Sequence, residues 1–111
     1  MKALNQITLD EIPWAMVELH EMVGLTKAHY ELCSAKLKVV YAELYNAIKD
    51  ISRTTEKSRE CYVLSQVEYM AQLHTIAEAQ RAYHQALGNL EAYQQKYQLL
   101  YLREKNNNHT F

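Results

Sequence analysis

Residues 26–51 read TKAHYELCSAKLKVVYAELYNAIKDI, and apolar or small residues recur in this stretch every three or four positions. This alternation of three and four is a heptad pattern, which keeps one side of a helix facing a partner helix. A second apolar line, formed by Leu25, Leu32 and Val39, follows a different face. A helix with two apolar lines needs cover on two sides, so the stretch predicts a long helix with more than one partner. The first line consists of Tyr30, Cys33, Leu37, Val40, Leu44, Ala47 and Ile51.

The composition predicts an all-α protein. The chain has 111 residues, the length of one domain, and only two Gly and one Pro, so it has little material for hairpin turns. Its formal net charge is −1, which excludes a strongly basic surface over the whole molecule. The sequence contains neither an apolar run long enough to cross a membrane nor the apolar core of a secretion signal. We therefore expect a cytoplasmic protein with reduced cysteines and no membrane partner.

Local signals divide the chain into a short helix, at about 11–23, and two long helices, at about 25–51 and 56–104. Asp10 is the favoured N-cap of the first helix, with Thr8 and Glu11 as an alternative capping pair, and Pro13 then falls in the first turn. Gly24 either ends this helix or only bends it. Short polar residues at 52–55 predict a tight reversal, and residues 105–111 predict a frayed tail. All 111 residues are expected to form a single helical domain.

Charge and hydrophobicity together predict an elongated antiparallel helical hairpin that assembles as a homo-oligomer. If the chain folds back near Arg53, the basic stretch 26–49 lies beside the acidic stretch 60–80, so opposite charges meet. A hairpin of this length cannot cover all of its own apolar residues. A monomer with a third helix packed across the hairpin is the alternative. The residues predicted to form the oligomer interface are Leu25, Leu32, Val39, Tyr93, Tyr97 and Leu100.

The sequence offers little support for catalysis or for a metal site. No histidine follows a glutamate by three residues, as the di-iron bundles require, and no Gly-rich phosphate loop or nucleophile elbow is present. His29 and Cys33 are one helical turn apart and could both bind a metal ion, but Cys33 lies in the heptad line, so packing is the preferred interpretation. We therefore expect a protein that is not an enzyme, with no cofactor, no metal and no small-molecule substrate.

Nine tyrosines are the most unusual feature of the composition. Tyr41 and Tyr45 lie near Lys36, Lys38 and Lys49, and aromatic rings among basic groups can stack single-stranded bases and hold the phosphate backbone. Tyrosine can instead fill a wide seam between helices while its hydroxyl reaches the edge. The predicted nucleic-acid-binding residues are Lys36, Lys38, Lys49, Arg53, Lys57 and Arg59, with Tyr41 and Tyr45 as stacking residues.

Two segments of the chain form a further pattern: one is AKLKVVYAELY at 35–45, and the other begins TEKSRE at 55–60 and continues to LGNLEAYQQK at 87–96. These segments resemble the recombination-mediator (UvsY-like) family of tailed phages. The resemblance implies an all-helical ring that binds single-stranded DNA and helps to load a RecA-type recombinase in the bacterial host cytoplasm. The family has basic side chains near the end of the first long helix, where this chain has YAELY at 41–45. The alternative is a protein-interaction module, such as an adaptor, a chaperone or an inhibitor of a host protein, that does not bind nucleic acid.

Overall fold

A computed structural model describes residues 3–51 and 55–108, and its secondary structure is helical. One turn of 3₁₀ helix, Leu4–Gln6, precedes three α-helices: α1 is Ile12–Ile51, α2 is Glu56–Leu64 and α3 is Val67–Asn108. Residues 3–51 and 55–108 contain no β-strand. The predicted all-α class is confirmed. The predicted reversal involves residues 52–54, which lie outside the described part of the chain.

Helix α1 is continuous through Gly24, so of the two alternatives at this glycine the structure supports the one in which it does not end the helix, and separate helices at 11–23 and 25–51 are not formed. The φ of Gly24 is not positive, and a glycine that ends a helix commonly has a positive φ. The side chain of Thr26 donates hydrogen bonds to the carbonyl oxygens of Met22 (2.8 Å) and Val23 (3.1 Å), within the same helical turns. Gly24 is therefore an interior helical position that lowers helix propensity without ending the helix.

The start of α1 also differs by one residue from the expectation. The backbone carbonyl of Glu11, rather than that of the predicted cap Asp10, accepts the hydrogen bond from the N–H of Ala15 (3.1 Å). Thr8 and Glu11, the alternative pair, are in contact, because the Thr8 hydroxyl donates to Glu11 Oε1 at 2.8 Å. Pro13 lies in the first turn of the helix, as predicted, where its missing N–H costs no hydrogen bond.

The second long helix is interrupted, so the expectation of one helix over 56–104 is wrong. In a regular helix the Tyr62 carbonyl would accept from the N–H of Gln66, but it accepts from the side chains of Ser65 (2.8 Å) and Gln66 (3.1 Å). The N–H of Gln66 bonds instead to the carbonyl of Val63, three residues back, at 3.1 Å. These local bonds replace the α-helical pattern and separate α2 from α3.

The α2–α3 segment begins at a side-chain cap and remains helical almost to the end of the described residues. The Thr55 side chain caps α2 by accepting a hydrogen bond from the N–H of Ser58 at 3.2 Å. Helix α3 continues to Asn108, so residues 105–108 of the predicted frayed tail are helical. Residues 109–111 lie outside the described part of the chain.

The chain groups into two compact units, which are described separately; a single domain stays a prediction. The first unit comprises Met1–Thr26 and Tyr83–Phe111. In its core, the inner face of the beginning of α1 packs against the second half of α3. This core consists of Ile7, Ile12, Ala15, Leu19, Leu90 and Tyr93, with Met16, Val23 and Leu100 packed against it.

The second unit, Lys27–Ala82, contains the antiparallel hairpin in its clearest form. Cys33 on α1 contacts Gln72 on α3, and Tyr41 on α1 contacts Tyr69 on α3. Further along α1, Tyr45 contacts Arg59 on α2. Partner residue numbers fall as the number along α1 rises, so the helices run in opposite directions. The predicted antiparallel hairpin is confirmed.

A buried hydrogen bond connects the two sides of this hairpin. The Gln72 side-chain amide donates to the backbone carbonyl of Cys33 at 2.8 Å, and both residues are buried. A buried amide that lost such a partner would cost about 1–3 kcal/mol, so the bond disfavours any slip of α3 along α1. Val63 on α2 and Ala79 on α3 are the other buried residues among the described side chains of this hairpin.

We expect Gly24→Ala to stabilise the protein by about 0.5–1 kcal/mol, because alanine loses less backbone freedom in a helix. A Cβ at Gly24 would meet no atom within 4 Å. Gly88 in α3 is the matched control, since it is equally open, and Gly88→Ala should give a similar increase. Urea denaturation at one protein concentration measures the free energy of unfolding of both variants. A loss of stability for Gly24→Ala alone would contradict the continuous α1.

Candidate nucleic-acid interface

Two predicted stacking residues form the centre of an aromatic cluster in the second unit. Tyr41 and Tyr45 are one turn apart on α1, and side chains four residues apart lie on the same helix face. Their ring centroids are 6.1 Å apart and the planes differ by 16°, which is a stacked arrangement. Both side chains are half-buried, so each ring keeps some surface that a ligand can reach.

The other two helices of the second unit complete this aromatic cluster. Tyr69 of α3 meets Tyr41 edge to face, with centroids 6.2 Å apart and planes at 67°. Arg59 of α2 places its guanidinium carbon 5.9 Å from the centroid of the Tyr45 ring. Its Nη1 also donates a long hydrogen bond of 3.5 Å to the Tyr45 hydroxyl. The cluster of Tyr41, Tyr45, Tyr69 and Arg59 thus combines ring faces with a cation that lies over one of them.

A shallow cleft lies beside the aromatic cluster. It is lined by Leu37, Lys38, Tyr41 and Tyr69 and has a volume of about 260 Å³. This is below the range of about 300–1,000 Å³ that is typical of small-molecule pockets, so the cleft does not enclose a ligand of that size. The exposed Lys38 lies beside the rings of Tyr41 and Tyr69, an arrangement that suits a ligand with a planar ring and an attached negative charge.

Carboxylates next to the cluster keep it from being purely basic. Burial raises the pKa of the Tyr41 phenol above its ordinary value, and the negative charge of Glu60 raises it further, with smaller contributions from Tyr45, Tyr69 and Glu56. Tyr41 is therefore a neutral hydrogen-bond donor at physiological pH and does not repel an anionic ligand. The carboxylates of Glu56 and Glu60 do repel an anionic ligand, so the binding of a phosphate here must overcome that repulsion.

The structure brings together four of the eight predicted nucleic-acid-binding residues. Tyr41, Tyr45 and Arg59 form the cluster, and Lys38 lies at its cleft. Three others are exposed side chains of the second unit, and within the described part of the chain no hydrogen bond or cation–π contact joins them to the rings: these are Lys36, Lys49 and Lys57. The remaining prediction, Arg53, lies outside the described residues.

Sequence reasoning missed Tyr69 as a member of the cluster. In the sequence, Tyr69 lies in a line with Tyr62, Gln66 and Leu73 at intervals of three and four residues, which indicates a packing position rather than a binding position. The predicted reversal near Arg53 places Tyr69 roughly opposite residues 37–41, so the register of the hairpin was a signal that could have identified it. The proximity of Glu56 and Glu60 to Tyr41 depends on how α2 packs beside α1, which no local sequence signal predicts.

The predicted oligomer-interface residues fall into two groups. Leu25, Leu32 and Val39 are 62%, 67% and 54% exposed, so these apolar side chains are accessible on the chain. Tyr93, in contrast, is 7% exposed and Leu100 packs against the same core of the first unit. Packing within the first unit already covers Tyr93, so its predicted role in an intermolecular surface is wrong, whereas Leu100 is only half-buried and its interface role stays a prediction.

Tyr97, the last predicted interface residue, lies at the edge of the first unit. Its ring stacks on that of Tyr101, with centroids 6.3 Å apart. The two rings line an open cleft of about 570 Å³ with Leu9, Pro13 and charged side chains. Tyr97 is exposed, which leaves its predicted interface role untested.

The His29–Cys33 pair is a local contact. Cys33 Sγ lies 3.6 Å from His29 Nε2, one turn away, and the thiol is buried against α3. Among residues 3–51 and 55–108, no group of three His, Cys, Asp or Glu side chains could hold a metal ion. Cys33 is buried and its backbone carbonyl accepts the bond from Gln72 of α3, whereas the His29 side chain is exposed.

Comparison with known proteins adds no relative: no protein-family model, curated protein or solved structure gives a significant match to this chain. The resemblance to the UvsY-like family stays a prediction. None of the helices in the described residues is long and apolar enough to cross a membrane.

We expect the Tyr41 phenol to titrate above the ordinary value of about 10, because its anion is disfavoured in the fold. Because the pKa of Tyr41 is raised in the fold, its neutral phenol contributes to folding stability below the ordinary pKa. This contribution is lost as the pH rises through the folded-state pKa. NMR of ring-labelled tyrosines, assigned with Tyr41→Phe, measures this pKa. Glu60→Gln should lower it, whereas Glu78→Gln should not. A Tyr41 pKa at or below the ordinary value would contradict the arrangement.

Proposed function

We propose that this protein is a phage-type accessory protein of recombination, not an enzyme, that binds single-stranded DNA and a RecA-type recombinase as a homo-oligomer in the cytoplasm of a bacterial host. The observation that supports DNA binding is the cluster of Tyr41, Tyr45, Tyr69 and Arg59, with exposed lysines on the same unit. The recombinase is proposed only from the resemblance of residues 35–45 and 55–96 to the mediator family.

In this proposal, bases stack on the accessible surfaces of the tyrosine rings while lysines contact the phosphates. Stacking on an aromatic side chain contributes about 1–3 kcal/mol per base and depends little on sequence. Glu56 and Glu60 oppose the phosphates, and the net charge of the chain is −1, so one patch binds weakly. Several patches in an oligomer would bind one strand together, which raises the affinity without any new contact.

The test is a titration of fluorescent oligo-dT, followed by anisotropy, at low and moderate salt. We expect binding that weakens with salt, with a slope that falls by about 0.7 for each phosphate-contacting lysine removed. The double variant Lys49→Gln/Lys57→Gln should therefore lower both the affinity and the salt slope. Lys27→Gln/Lys105→Gln, which removes two other exposed lysines, is the matched control. Absence of binding at tens of micromolar protein in low salt would contradict the proposal.

A second candidate function is a helical protein-interaction module that does not bind nucleic acid, and one observation in the first unit favours it. Trp14, the only tryptophan, is 78% exposed at the start of α1. Exposed Val17 lies one turn further along, and the exposed carboxylates of Glu18 and Glu21 follow. Tryptophan is a frequent energetic centre of protein interfaces, so this face suits an apolar groove with a basic rim on a host protein.

Capture from nuclease-treated host lysate distinguishes the two functions. If the second function holds, a partner should be retained by the wild type and by Leu99→Ala, which changes another exposed apolar residue of the first unit. Trp14→Ala should lose that partner, because it removes the central anchor. Recovery of a recombinase only when DNA is intact would support the first function and contradict the second.

A further inference from the structure

A short apolar seam on α1 lies exposed in the second unit. It consists of Ala28, Leu32, Ala35 and Val39, all of them exposed, and the intervals of four, three and four residues place them on one helix face. Cys33, which packs against α3, lies on a different face of the same helix. In the sequence, the same spacing continues to Leu25 and Ala42.

We propose that this seam binds the same seam of a second copy of the chain, with the two α1 helices antiparallel. The inference deepens the self-association part of the proposed function and does not depend on DNA binding. Two observations identify a second copy as the occupant: the alternation of small and large side chains along the seam, and the charges beside it.

The alternation of size selects the antiparallel direction. In an antiparallel pair centred between Cys33 and Ser34, position 32 meets position 35 and position 28 meets position 39, because each pair is equidistant from the centre. Leu32 then packs against Ala35 of the second copy, and Val39 against its Ala28. A parallel pair would instead place leucine on leucine and alanine on alanine, which leaves gaps beside the alanines that close packing disfavours.

The charges beside the seam are complementary to those of a second copy. Glu31 and Lys38 are exposed on the same edge of the seam. Two-fold symmetry in the antiparallel pair brings Glu31 close to Lys38 of the second copy, about 3 Å apart along the helix axis, and repeats this contact at the other end. Charge alone also permits a parallel pair, with Glu31 beside Lys36, so the sizes of the seam residues decide the direction.

Sedimentation of the full chain without DNA tests the association. We expect a concentration-dependent dimer that Leu32→Glu weakens by at least about tenfold, because the substitution buries a charge in the seam. Leu32 is exposed, so the variant should keep the helical content of the wild type, which circular dichroism checks. Met70→Glu, a matched change of an exposed apolar residue on α3, should leave the dimer unchanged.

Cysteine cross-linking in a Cys61→Ser background tests the direction. A mixture of Ala28→Cys and Val39→Cys chains should form a mixed disulfide under mild oxidation. Val39→Cys alone should not, because the two copies of residue 39 would lie about 16 Å apart along the axis, beyond the roughly 7 Å limit between Cα atoms in a disulfide. A monomer at every concentration, equal weakening by Met70→Glu, or self-cross-linking of Val39→Cys would each overturn the proposal. Failure of DNA binding would not affect these results.

Discussion

Helix α1 has apolar residues on two faces, and in the second unit α2 and α3 cover only one of them. Cys33 is buried on the covered face, whereas Leu32, the adjacent residue, is 67% exposed. Burial of an apolar side chain of this size is worth about 1.5–3 kcal/mol, so the uncovered face retains a substantial drive towards association. This imbalance is the physical basis of the antiparallel dimer proposed above, and it arises because a two-sided helix needs more than one neighbour.

The register of the hairpin determines what the second unit can bind. The bond from Gln72 to the Cys33 carbonyl fixes α3 against α1, and this places Tyr69 edge-on against Tyr41. The break between α2 and α3 separates Arg59, over Tyr45, from the helix that carries Tyr69. Residues from three helices therefore meet at one patch, although they are distant in sequence.

The two proposed activities use different parts of the chain and can coexist. The aromatic cluster and the apolar seam both involve the second half of α1, but the seam consists of Ala28, Leu32, Ala35 and Val39, whereas the cluster begins at Tyr41. Lys38 is shared, since it lines the cleft of the cluster and stands beside the seam. Self-association would therefore place two aromatic clusters on one assembly, which suits weak binding of a long strand. Because carboxylates near Tyr41 weaken the binding of DNA to a single aromatic cluster, the proposed function needs several clusters on one assembly.

The helical class, the antiparallel direction and the two apolar lines of α1 could all be predicted from the amino-acid sequence, because hydrophobic periodicity and the scarcity of Gly and Pro are local properties. The sequence also identified Tyr41 and Tyr45 as stacking residues, although the stacking of the two rings on each other is visible only in the structure. The apolar residues that other helices cover could not be predicted in this way: the same heptad pattern includes Tyr93 and Leu32, yet Tyr93 is buried in a core and Leu32 is exposed. Helix continuity at Gly24 and the break after Leu64 were likewise undetermined, since each depends on a few hydrogen bonds of similar energy to their alternatives. Burial depends on which helix packs on which face, and that is a property of the folded chain.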